Sequence, residues 1–347
     1  MNRIKCFDMA KGFAIIVVIL GHTYNGMPAG FGKFAFSFHM PLFFLLSGFF
    51  MKGRYIPERQ FFMKSVRCYI IPYALSVLFI VSISVIQNFV MGTECQPDII
   101  KWLSAAFYGS GSPLRWNYWP TELHAIGGIW FLLALFVSSN LLNAINKIRE
   151  NTPGSEILAA LLVCGIAWVG YYSALKGPWW PLSVQAGLTS LFFLYIGQTT
   201  YIYIYENGLY KKIPIVLWMI MGGIWAYCAL FCGKLYMVSN TYTDGMMDII
   251  GGICGTFCVI ALCYLMEQKL KYIPSVLAFI GRRTLVILCV HTIEAKFVNY
   301  WTDVPNLLNC IGVSWFTICV VRLLIVTAGV AVIALIPGIN NVFSLKK

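Results

Sequence analysis

One apolar stretch near the N-terminus, RIKCFDMAKGFAIIVVILGH, carries Arg3, Asp8, Lys11 and His22. Ionisable side chains are expensive in hydrocarbon, so each is read first as a functional candidate. Lys11 and His22 are eleven residues apart, about three turns of helix, which places both on one face ~16 Å apart along the axis. An imidazole can take a proton near neutral pH or attack a carbonyl carbon, and a lysine holds a phosphate as a point charge. The ~16 Å separation is roughly the reach of a phosphopantetheine arm, so a cation at one end and a histidine at the other suit a thioester donor. Asp8 stands ~21 Å from His22 along such a helix, too far to orient its ring, and is expected to neutralise Arg3 or Lys11.

Other candidates lie further along. The stretch FSFHMPLFFLLSGFF holds His39, Pro41, Ser47 and Gly48, which make an irregular helix of the kind that lines a cavity. His291 is followed three residues later by Glu294, on one helical face. Arg322 falls in the middle of a late apolar stretch and must find a partner or water. For His39, His291 and Arg322, structural pairing and function both stay open. The histidines lack the spacing of a zinc motif, so no metal is expected, and there is no glycine-rich phosphate loop.

The elements that must position these groups are membrane spans. Of 347 residues, 59% are hydrophobic and 11% charged, where soluble proteins carry about 25% charged residues; a soluble globular domain is excluded. Ten apolar stretches, each near the ~20 residues needed to cross hydrocarbon as helix, run at 8–27, 33–52, 68–91, 126–146, 156–175, 182–204, 213–233, 246–266, 284–301 and 311–336. They are continuous rather than alternating in ten-residue segments, which argues against a barrel. The expected fold is all-α integral membrane, about ten transmembrane helices, in a single domain over 1–347. The net charge of +12 is topological and does not point to nucleic acid. Lys5, Lys52, Arg54, Arg59, Lys147, Arg149, Lys269, Lys271, Arg282 and Arg283 fall on one side, predicting N-in and C-in. Gly21–His22 interrupts the first stretch and no cleavage site follows, so it reads as a span rather than a signal peptide. The longest segment outside the spans, 92–125, is rich in aromatics, among them Trp102, Trp116 and Trp119; it suits an interfacial belt or a carbohydrate-stacking surface. Segment 267–283 is expected to lie along the cytoplasmic interface. The twelve cysteines serve mainly packing, with Cys95 and Cys310 able to pair outside.

The pattern R-x4-D-x2-KG-x9-H, followed by FHMPLFFLLSG and the basic loop ending KSVRCYIIPY, resembles the opening of the membrane-bound acyltransferase-3 family. IWFL at 129–132 is similar to the family's tryptophan motif, with Trp130, and IGRRTLVILCVH at 280–291 to its penultimate span. The resemblance implies a bacterial cytoplasmic-membrane enzyme that takes an acyl group, usually acetyl, from cytoplasmic acyl-CoA to a hydroxyl of an extracytoplasmic glycan or lipid-linked sugar. It implies His22 as the catalytic histidine and Lys11 as its basic partner. Arg3, Lys11, Lys64 and Arg67 would hold the donor, and Asp8, His39, Ser47, Trp130, His291, Glu294 and Arg322 would support the site. Lys11 and Lys64 stand where many members carry Arg, which keeps charge but loses bidentate geometry. Some members carry an appended extracytoplasmic hydrolase-like domain; this sequence ends without one, so the membrane domain is expected to complete transfer or hand over to another protein. A transporter or flippase of a polyprenyl-linked sugar is the alternative from a different class, since polar, Gly/Pro-interrupted spans also suit transporters.

Overall fold

A computed structural model describes residues 4–24, 26–115, 122–152, 154–233, 235–298, 300 and 313–343. The chain divides into two compact units, Met1–Phe43 with Ile213–Leu235 and Tyr242–Lys347, and Phe44–Lys212 with Tyr236–Thr241. Apart from short strands such as Leu114–Arg115, paired antiparallel with Glu122–Leu123, the regular structure among the described residues is helical. Each of the ten apolar stretches contains a helix. Among the described residues six helices are long and apolar enough to cross a membrane, or seven when the bent pair described below counts as one span.

The first unit contains α1 (Lys5–Gly21) and the first half of α2 (Phe31–Met51). In chain order α9 (Ile215–Phe231), α10 (Met246–Lys269), α11 (Tyr272–Gly281) and α12 (Thr284–Phe297) follow. Trp315–Leu335 and Pro337–Val342, here α13 and α14, complete it. Helix α1 stops earlier than its apolarity suggests: the expected span runs to residue 27, whereas His22 already has φ −89° and ψ 7° and caps the helix. The polar run Thr23–Tyr24 and Gly26, at positive φ, turn the chain there. Segment 267–283 is not one continuous stretch; α10 runs to Lys269 and α11 is a separate helix bent 69° from α12.

Two glycines bring α1 and α11 together. A Cβ on Gly12 would run into the carbonyl oxygen of Leu277, and one on Gly281 into that of Asp8, so the helices touch backbone to backbone. In α2, Pro41 has no N–H for the Ser37 carbonyl, and Gly252 of α10 lies against the Pro41 ring and that carbonyl. Met9, Ile15 and Ile19 of α1 and Phe38 and Leu42 of α2 are among its fully buried side chains.

The second unit contains the rest of α2, then α3 (Glu58–Ser65), a π-helical turn at Val66–Ile70, and α4 (Ile71–Met91). Next come α5 (Gln96–Tyr108), α6 (Trp130–Asn151), α7 (Glu156–Lys176) and α8 (Val184–Thr199), the last running into a π-helical Thr200–Tyr205. Helix α5 falls in the segment expected to lie outside the spans. Its limits are locally encoded, with Pro97 in the first turn and Gly109 closing the helix at φ +64°. Helices α2 and α8 cross through Gly48, whose Cβ would strike the Leu194 carbonyl, and Gly197, whose Cβ would strike that of Leu45.

Candidate active site

The end of α1 is held by α13. The carbonyls of a last helical turn have no partners within the helix. Here His22 Nδ1 bonds the Val18 carbonyl at 2.7 Å and Thr23 Oγ1 donates to that of Ile19 at 3.3 Å. Beyond the turn, Trp315 Nε1 donates to the Thr23 carbonyl at 2.7 Å. Arg322, seven residues on along the same face of α13, donates through Nη1 to the His22 carbonyl at 2.8 Å and to Thr23 Oγ1 at 3.0 Å. A cation at a helix C-terminus also complements the partial negative charge there.

The same guanidinium reaches α12. Its Nη2 donates to Glu294 Oε1 at 2.9 Å, that oxygen accepts from His291 Nδ1 at 2.7 Å, and Tyr300 donates its hydroxyl to Glu294 Oε2. His291, Glu294, Tyr300 and Arg322 are all buried, and the Arg322 guanidinium also lies 5.0 Å over the Tyr300 ring. A buried ion pair persists where further hydrogen bonds satisfy both partners, which these contacts do for the carboxylate. The helical spacing of His291 and Glu294 therefore becomes a direct bond.

The two histidines meet. The rings of His22 and His291 stand edge to face with centroids 5.3 Å apart. A backbone carbonyl and an ionised carboxylate can only accept, so each Nδ1 is a donor and each neutral ring keeps its lone pair on Nε2. His22 is half-buried whereas His291 is buried. Phe36 contacts both His22 and His39, and the His39 Nδ1 bonds the Ala35 carbonyl at 2.5 Å.

At the other end of α1, Lys11 pairs with Asp8 at 2.7 Å, one of the two partners expected for that carboxylate. Arg3, the other, lies outside the described residues, as do Trp116, Trp119 and Cys310. Lys64 and Arg67 belong to the second unit and are exposed, Lys64 at the end of α3 and Arg67 in the π-helical turn. Ser47 and Trp130 also belong to that unit, with Trp130 buried against Phe44 and Phe131. Of the candidates named from sequence, the structure thus joins His22, His291, Glu294 and Arg322 in one polar network and Asp8 with Lys11 in another. Thr23 and Tyr300 were missed. Thr23 follows the marked histidine directly, but Tyr300 offers no local signal, being six residues beyond Glu294 and past the end of α12.

A profile of the family described as "Acyltransferase domain", Acyl_transf_3, matches residues 4–336. The chain belongs to the acyltransferase-3 family. Among curated proteins it is similar to Nodulation protein NolL of Sinorhizobium fredii, 29% identical over 161 residues, 43% of this chain and 39% of that protein. It is also similar to Nodulation protein NolL of Mesorhizobium japonicum, 28% identical over 158 residues, 43% of this chain and 38% of that one. The matches thus span about two fifths of those relatives' length. No solved structure matches the chain. The family match and the long apolar helices together make this a predominantly helical membrane protein of an acyltransferase family.

Proposed function

We propose that the protein transfers an acyl group, in the first instance acetyl, from cytoplasmic acyl-CoA to a hydroxyl of an extracytoplasmic glycan or lipid-linked sugar, in a bacterial cytoplasmic membrane. The observation that carries this reading is the pair His22 and His291, ring against ring, each with Nδ1 engaged so that the neutral ring carries its lone pair on Nε2. Acyl transfer from a thioester needs a base for the incoming hydroxyl or a nucleophile that carries the acyl group, and an imidazole does either. His22, half-buried at a helix end, is the reacting residue. Lys11 lies at the far end of the same rigid helix, where a cation would hold the donor phosphates, with Arg3, Lys64 and Arg67 as further donor contacts.

The test is consumption of acetyl-CoA. Purified protein supplied with acetyl-CoA and a membrane glycan fraction should release free coenzyme A and label the glycan, and His22→Gln protein of unchanged thermal profile should do neither. Glutamine mimics one hydrogen bond of imidazole but takes up no proton. Glycan labelling by the His22→Gln protein near the parental rate would remove the assignment, and absence of acetyl-CoA use by the parent would remove the function.

A further inference from the structure

Two imidazoles in contact, one with a carboxylate and one without, suit two different tasks. His291 is buried and holds on Nδ1 the Glu294 carboxylate, which also pairs with Arg322, so a positive charge acquired at its Nε2 lies beside an anion. His22 is half-buried, its Nδ1 meets only a neutral carbonyl, and the Arg322 cation bonds its own backbone oxygen. The first environment is that of a general base. The second has no carboxylate to hold a proton on the ring, and a neutral lone pair on Nε2 is that of a nucleophile.

We propose that transfer proceeds in two displacements, with His22 as acyl carrier and His291 as the base of the second. This rests on the acyltransferase reading above. In the first, His22 Nε2 attacks the thioester carbonyl carbon, the C–S bond breaks, and its electron pair leaves on sulfur as coenzyme A thiolate. The acyl group is then held on a cationic imidazole whose Nδ1–H still donates to the Val18 carbonyl. In the second, the acceptor oxygen attacks the acyl carbon while its proton passes to His291 Nε2, and the C–N bond breaks with its electron pair returning to His22. His291 then gives its proton to water. The sum is ester, thiolate and one proton from hydroxyl and thioester. Glu294 acts through His291 and is a positioning residue.

Isotope exchange separates the two halves. An enzyme of this kind, freed of acceptor, exchanges labelled coenzyme A into acetyl-CoA, because the first displacement runs backwards by itself. The wild-type protein is expected to show exchange. His291→Gln should retain exchange within about threefold while glycan acetylation falls at least a hundredfold, the low end of what a general base contributes. His22→Gln should lose both. Glu294→Asp, which keeps the charge and withdraws the carboxylate from Nδ1, should lower transfer and spare exchange, a split that a merely structural role would not produce. The proposal is overturned if wild-type protein acetylates the glycan but shows no exchange. It is equally overturned if folded His291→Gln or Glu294→Asp protein loses exchange and transfer together, or if both variants transfer normally. Wild-type protein that uses no acetyl-CoA at all would instead sink the underlying reading.

Discussion

Arg322 donates to the backbone carbonyl of His22 at 2.8 Å, although the two residues are 300 positions apart in the chain. With its other Nη on Glu294, one guanidinium fastens the helix end that presents His22 to the carboxylate that orients His291. A planar fork serves two directions at once, which an ammonium on a flexible stem does not. Arg322→Lys should therefore leave a folded protein whose kcat for acetyl transfer falls about ten- to a hundredfold, as expected for a small misplacement of reacting groups. The KM for acetyl-CoA should hardly move. Steady-state kinetics of the variant would contradict the arrangement if KM rose and kcat held.

Glu294→Gln leaves the Arg322 cation buried without its counter-charge, and breaking a buried pair in this way costs about 3–5 kcal/mol. The thermal transition of the variant in detergent should drop by several degrees or more. Pairing it with Arg322→Met removes both charges and should recover most of the loss while leaving the protein inactive. Equal instability of the double and single variants would show that the ion pair is not the source.

Replacement of Lys11 by Ala should weaken acetyl-CoA binding about tenfold or more, the loss of one charge-assisted contact. Lys11→Arg should match or exceed the parent, because a guanidinium grips phosphate bidentately. Titration calorimetry on the purified variants decides the matter. Unchanged affinity in the Lys11→Ala protein would remove Lys11 from the donor site.

A methyl group at Gly281 meets the Asp8 carbonyl, with backbone on both sides and no flexible side chain to yield. Gly281→Ala should cost about 1–3 kcal/mol through overpacking, visible as a lower thermal midpoint. Gly222→Ala, in open space on α9, is the matched control and should be neutral or slightly stabilising. Similar midpoints for both variants would contradict the close packing of α1 on α11.

Apolar length marks a helix in each of the ten stretches, but among the described residues only six helices, or seven with the bent pair, are long and apolar enough to cross a membrane. The functional residue types were legible too, since intramembrane charge is rare enough to notice. Their partnerships were harder to see. His291 with Glu294 is a local pair and announces itself by spacing, but Arg322 reaching His22 depends on how α13 packs on α1. The close contact of α1 with α11 was hidden for a different reason. Gly12 and Gly281 are ordinary glycines in sequence, and only the facing backbone shows why no side chain fits. Helix α5 was overlooked although Pro97 and Gly109 punctuate it, because the aromatics around it drew the reading toward an interfacial belt.

Helix α1 runs without a break from Lys5 to Gly21, with Lys11 in its second turn and His22 at its cap. That makes it a gauge of fixed length. Each residue added between the two would lengthen it by ~1.5 Å and swing the lysine about 100° around the axis, so a single insertion turns the cation away and a pair turns it to the far side. Only near three or four added residues does the lysine return to its face, now about 5 Å too distant. The spacing between these two residues, more than either side chain alone, would thus set which donors have the right length.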